Sequence, residues 1–243
     1  MKDQILGDDM QAVKLVMNKG EIVKAEAGML MYMDTNTDMQ TTTDGGILKG
    51  IKRAFSGESF FITVFTAKTN DAEVCFSGPY PGKILKIKTD NKTILAQRDA
   101  YLCSTGDVDV SIAFTKRLGA GFFGGEGFIL QKISGNGTSY LHAGGHIMER
   151  ELKSGETLKL DTGSLVALED TVDYNIEFVG GIKTALFGGE GLFFATLTGP
   201  GKVWMQTLPI SRLAEKVMEG FSKSRGERRR GGQGIVGDLL SGN

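Results

Sequence analysis

Phe123-Gly124-Gly125-Glu126-Gly127-Phe128-Ile129 decides how this chain is read, because the chain writes it again. It returns as Phe187-Gly188-Gly189-Glu190-Gly191-Leu192-Phe193, and more loosely as Phe55-Ser56-Gly57-Glu58-Ser59-Phe60-Phe61. Glu126 follows Glu58 by 68 residues and Glu190 follows Glu126 by 64. Recurrence at so regular a spacing predicts an internal repeat.

Working outward, further features fall into the same register. Upstream lie Lys19-Gly20-Glu21-Ile22-Val23-Lys24-Ala25, Asn91-Lys92-Thr93-Ile94-Leu95-Ala96 and Ser154-Gly155-Glu156-Thr157-Leu158-Lys159-Leu160, each a turn followed by a short alternating strand. Each runs into a second apolar strand: Gly28–Met33, Ala100–Cys103 and Gly163–Leu168. Downstream lie Phe60–Thr66, Phe128–Ser134 and Leu192–Thr198, rich in aromatic and β-branched residues. Turns then follow at Thr69-Asn70-Asp71, Asn136-Gly137 and Pro200-Gly201. The units span 1–80, 81–143 and 144–207. Alone, a unit of this size with one sheet is marginal, so the three are expected to pack as one body.

Glycine is the compositional outlier, 35 of 243 residues, about twice the usual share of roughly 7%. It sits between short apolar runs, as corners of an all-β protein. From Pro209 the pattern changes. Ile210, Leu213, Val217 and Phe221 repeat at helical spacing, which predicts one amphipathic helix over 208–221, packed on the β body. The remainder, 222–243, reads as a basic, flexible tail with Lys223, Arg225, Arg228, Arg229 and Arg230.

A net charge of −1 gives no global attraction to nucleic acid or to membranes. Cys75 and Cys103 have no metal-ligand spacing and read as buried free thiols. The N-terminus lacks the apolar core of a signal peptide, and no apolar run is long enough to span a membrane, so a cytoplasmic location is expected.

Phe-Gly-Gly-Glu-Gly twice, Leu141-His142-Ala143-Gly144-Gly145, Leu160-Asp161-Thr162-Gly163-Ser164-Leu165-Val166-Ala167 and Gly199-Pro200-Gly201-Lys202-Val203-Trp204 together resemble one family. It is the family of bacterial proteins of unknown function related to the yeast mitochondrial protein "altered inheritance of mitochondria, number twenty-four". The resemblance covers nearly all of residues 5–220. It implies a fold like that of the trp RNA-binding attenuation protein, with three antiparallel β-sandwich units in a pseudo-threefold arrangement. It implies no enzyme activity. Members in mitochondria are tied to inner-membrane organisation, and this chain shows no transit peptide.

Several constellations imitate chemical sites. Gly119-Ala120-Gly121-Phe122-Phe123-Gly124 matches the dinucleotide fingerprint in form, but that motif needs a following helix and here a strand is expected. His142 and His146 are four apart, yet Gly144-Gly145 between them argues against the helix that would align their rings. Asp161-Thr162-Gly163 has the form of an aspartic-protease motif, whose chemistry needs a second such carboxylate; the corresponding positions hold Glu26-Ala27-Gly28 and Arg98-Asp99-Ala100. A turn is the better reading. Neither cysteine carries an activating signature, and no Gly-x-Ser-x-Gly elbow is present.

The sequence therefore predicts a non-catalytic structural or interaction protein without cofactor or catalytic residues, which binds a protein partner or its own copies. One alternative is a small-ligand or cation module at clefts near Glu58, Glu126 and Glu190, although glycine-turn amides alone account for glutamates there. The other is peripheral contact with anionic membranes or phosphate through Lys223, Arg225, Arg228, Arg229 and Arg230; no specific nucleic-acid recognition is expected.

Overall fold

Alternation of apolar and polar side chains builds the first sheet. Strand β2 (Ala12–Met17) turns Val13, Leu15 and Met17 fully inward, with the residues between them partly exposed. It pairs on one side with β1 (Lys2–Leu6) and on the other with β7 (Ala72–Ser77), which in turn pairs with β4 (Leu30–Met33). The chain is described here by a computed structural model at residues 1–26, 28–41, 62–116, 128–179, 192–214, 216–217 and 220. Over these residues the protein is all-β, with antiparallel pairing throughout and one short C-terminal helix.

The second sheet is the largest. It contains β3 (Ile22–Glu26), β5 (Thr37–Thr41), β6 (Ile62–Ala67), β8 (Gly82–Lys88), β9 (Ile94–Gln97), β10 (Tyr101–Lys116), β11 (Phe128–Gly144), β12 (Ile147–Leu152), β14 (Leu165–Glu169) and β17 (Gly201–Gln206). Its strand order is β12-β17-β14-β9-β11-β10-β3-β6-β5, with β8 also pairing along β11. A third sheet runs β13-β16-β15, formed by β13 (Thr157–Asp161), β15 (Asp173–Val179) and β16 (Leu192–Thr198). Short 3-10 turns at Arg98–Ala100 and Thr162–Ser164 precede β10 and β14.

The expected turn at Asn136-Gly137 is not there. Strands β10 and β11 stay paired from Tyr101 opposite Leu141 to Lys116 opposite Phe128, and Asn136 and Gly137 lie inside the ladder, opposite Asp107 and Gly106. Glycine makes this possible. Gly106 and Gly135 take φ of +82° and +107°, and a Cβ on Gly137 would stand 2.1 Å from the carbonyl oxygen of Thr105. The glycines thus bend a continuous strand pair instead of reversing it. The turn at Thr69–Asp71 does interrupt its strands, with Asp71 at φ of +57°, and Gly199 and Pro200 separate β16 from β17, which Gly201 begins.

Among the described residues three apolar clusters fill the body. Val13, Leu15, Phe65, Phe76, Leu102 and Tyr140 belong to one; Ile94, Tyr101, Ile133, Val166 and Trp204 to a second; Phe128, Leu130, Leu165, Leu168 and Leu197 to a third. Each such side chain contributes roughly 1.5–3 kcal/mol by leaving water, and strands supply members to more than one cluster, so the sheets are not independent. Tyr101 is fully buried and satisfied: its hydroxyl reaches Ser104 Oγ at 2.8 Å and Lys24 O at 3.2 Å.

A short C-terminal helix is present, and its helical residues begin at 210, two after the expected 208. Ile210 and Leu213 are half-buried and Val217 is 50% exposed, so among the described residues the apolar stripe lies against the body over its first turn. Arg212 anchors that turn through Asp161 Oδ2 at 3.0 Å.

Candidate interaction surface and polar sites

The sequence-level candidates Glu58, Glu126 and Glu190 lie outside the described residues, as do Lys223, Arg225, Arg228, Arg229 and Arg230. The dinucleotide-like glycines also fall outside them; the next described residues, from Phe128, form β11.

The histidines do not converge. His142, on β11, is buried, packed edge-on to the Tyr80 ring with centroids 4.6 Å apart, and burial holds its pKa below the usual value. The space it fills exists because Gly78 and Gly82 have no side chains: a Cβ on Gly78 would stand 2.2 Å from His142 Cδ2. His146 is exposed, beyond the end of that strand. No group of three metal-ligating side chains occurs among the described residues.

Asp161 is a turn residue. Its Oδ1 accepts the N–H of Gly163 at 2.8 Å and its Oδ2 accepts from Arg212, which leaves the carboxylate committed to the 3-10 turn and the helix. Gln206 is buried below it, taking the N–H of Gly144 at 2.7 Å and donating to Gly163 O at 2.8 Å. Cys75 and Cys103 are buried free thiols, and burial pushes both above their ordinary pKa.

Two polar sites had no signal in the sequence. Glu26, at the end of β3, is largely buried, and burial pushes its carboxyl up to about 7 against the opposing pull of Arg98. Among the described residues its Oε2 has no hydrogen-bond partner. Glu149 holds Lys202 Nζ at 2.5 Å and the indole Nε1 of Trp204 at 2.8 Å, and these two bonds keep its carboxyl below the usual range. Only strand pairing places β12 and β17 side by side, so 53 to 55 residues of separation hide both contacts.

The most distinctive surface is β4. Met31 is 62% exposed, Tyr32 39% and Met33 37%. Of the strands at the margins of the three sheets, β1, β5, β8, β12, β13 and β15 each carry charged side chains, and β4 carries none. Charge on an edge strand discourages addition of a further strand. An uncharged, apolar edge invites it.

These features define an all-β protein of antiparallel sheets with no helix among the described residues long and apolar enough to cross a membrane. The sequence profile of the mitochondrial biogenesis AIM24 family matches residues 4–208, and the chain belongs to that family. A crystal structure of a protein from Streptococcus pyogenes is similar to it, with 25% identity and a TM-score of 0.74 over 90% of this chain and 98% of the other. No curated protein matches the chain.

Proposed function

We propose that the chain is a non-catalytic structural or interaction protein made of three fused β units, which presents a composite surface to a protein partner or to its own copies. The observation that carries this reading is a pairing order met three times. In the first unit β7 lies between β2 and β4, and β6 between β3 and β5. In the third, β17 lies between β12 and β14, and β16 between β13 and β15. In the second, β11 does both jobs, flanked by β8 and the start of β10 at one end and by β9 and the rest of β10 at the other.

Details recur with the order. A one-residue break in register follows Leu30, Tyr101 and Leu165, at the same step of each unit. Gly20, Asn91 and Gly155 take positive φ in the turns before β3, β9 and β13. Glu21 Oε2 accepts the N–H of Asn18 at 2.6 Å, and Glu156 Oε2 accepts that of Lys153 at 3.0 Å. Asp34 Oδ2 accepts the N–H of Glu73 at 2.9 Å, as Glu169 Oε2 accepts that of Lys202 at 3.0 Å. The units meet alike: β10 adds to β3, and β14 adds to β9. A constant step from unit to unit is the relation that the likeness to trp RNA-binding attenuation protein implies; among the described residues no strand pairing makes the third step, from the last unit back to the first.

The non-catalytic half of the reading is supported by the commitment of Asp161, His142 and the two thiols to structural roles. Light scattering of the pure chain, with affinity capture by it, is the test. A self-associated or partner-bound form is expected. A chain that stays monomeric and captures nothing contradicts the reading.

A further inference from the structure

Strand β4 of one copy adds to strand β13 of a second copy, we propose, extending head-to-tail the junction that already joins the units within the chain; this rests on the three-unit reading above. Inside the chain that junction occurs twice. Cys103, Ser104 and Thr105 of β10 stand opposite Ala25, Lys24 and Val23 of β3. Ala167, Leu168 and Glu169 of β14 stand opposite Ala96, Leu95 and Ile94 of β9. Each time the strand that adds is the one with the one-residue register break, and it adds through the residues just after that break.

One partner of each kind is left over. β4 has the break between Leu30 and Tyr32 and pairs only with β7, while β13 pairs only with β16, among the described residues. The equivalent residues of the internal junctions show what a filled edge looks like. Leu102 and Val166, at the break, are 0% exposed, and so are Cys103 and Ala167 after it. Met31 and Tyr32, in the same places on β4, are 62% and 39% exposed. The acceptor edge is equally defined: Ala25 lies opposite Thr63, Ala96 opposite Gln131, and Leu160 of β13 opposite Ala195.

Superposing the register gives the contact. Tyr32 of one copy faces Leu160 of the next, Met33 faces Lys159, and Asp34 faces Leu158. The two edges differ, so the contact is heterologous: every copy offers one β4 and one β13, and the product is a closed ring or an open fibre. The absence of charge on β4 fits an edge meant to be covered, and its short apolar run matches the alternating Leu158 and Leu160 of β13.

The test is a mixed cross-link backed by sedimentation, on the full chain with Cys75→Ala so that the thiol beside β4 cannot compete. Met33→Cys in one preparation and Lys159→Cys in another are mixed and oxidised; both positions are exposed, so neither change touches the core. Directly opposed residues of an antiparallel pair approach closely enough for a disulfide. A disulfide-linked dimer is expected from this mixture, and none from Met33→Cys mixed with Asn175→Cys on β15. In sedimentation, Met33→Lys is expected to weaken self-association at least tenfold by opposing Lys159, and Lys159→Asp in the second copy to restore it. Association that ignores both substitutions and yields no cross-link overturns the β4–β13 contact while leaving an interaction protein of three units. A cross-link confined to monomers of a Met33→Cys, Lys159→Cys double variant also overturns it, because the edges then close within one chain. A monomer that binds no partner overturns the three-unit interaction reading as well.

Discussion

Ser104 of β10 stands opposite Lys24 of β3, about eighty residues away in the chain, and it is 1% exposed while its counterpart on β4, Met33, is 37% exposed. Lys24 accommodates the junction by turning its ammonium outward along the sheet, where Nζ donates to Val108 O at 2.8 Å and lies 3.8 Å from Asp109 Oδ1. A lysine in the middle of an inter-unit ladder is therefore no obstacle to it. Lys159 holds the same place on β13, and the ladder proposed there asks nothing new of it.

Glu26 predicts a pH-dependent stability of unusual sign. Its folded-state carboxyl is raised to about 7 from an ordinary 4.5, first by burial, so the folded protein holds this proton more tightly than the unfolded chain. Its contribution is present below about pH 4.5 and is lost as pH rises to about 7. Glu26→Gln keeps the shape and removes the titration. Urea unfolding at pH 5 and pH 8 is expected to show the variant gaining about 1 kcal/mol on the parent between the two, a figure discounted for the solvent that reaches the carboxyl. Equal differences at both values contradict this.

Trp204 is the single tryptophan, so tryptophan fluorescence reports on this site alone, where the indole donates to Glu149. Lys202 and Trp204 hold the Glu149 carboxylate below the usual range, so the contact persists through mild acid and is lost as pH falls through that lowered value. Glu149→Gln is expected to abolish the acid transition of the emission maximum. Persistence of the transition in the variant assigns it elsewhere.

Gly135 and Gly155 separate two reasons for glycine. Gly155 has φ of +76° with open space around a Cβ, so Gly155→Ala costs only the left-handed backbone penalty, about 1 kcal/mol. Asn91 fills the corresponding turn at φ of +58°, and Gly155→Asn is expected to cost less still. A Cβ on Gly135 would meet Asp107 O at 2.2 Å, so Gly135→Ala is expected to destabilise by about 3 kcal/mol or more. Denaturant midpoints rank the three.

Cys75 and Cys103 are predicted to resist a thiol reagent in the native protein and to react together on unfolding. Both are at most 1% exposed and both are held in the neutral, unreactive form by burial. Fast labelling of either in native buffer contradicts the placement.

The strands were largely legible because glycine, asparagine and proline mark their ends, and β16 falls over Leu192–Thr198 as the aromatic and β-branched run suggests. Asn136-Gly137 misled, since the same two residues serve a reversal or a bend, and only the partner strand Thr105–Val108 decides between them. Val217 misled in the same way: helical spacing shows which face is apolar, not how far the body extends beneath it. Glu26 and the Glu149–Trp204 contact were invisible, because burial and cross-strand neighbours arise from long-range pairing.

Hydrogen exchange across a concentration series tests the central claim most directly. At low concentration the amides of Leu30–Met33 and Thr157–Asp161 not used by β7 or β16 exchange freely. The account predicts that both segments, and not the charged edge of β1, gain protection together as concentration rises. Protection that stays constant in both segments, or that rises at β1 instead, contradicts it.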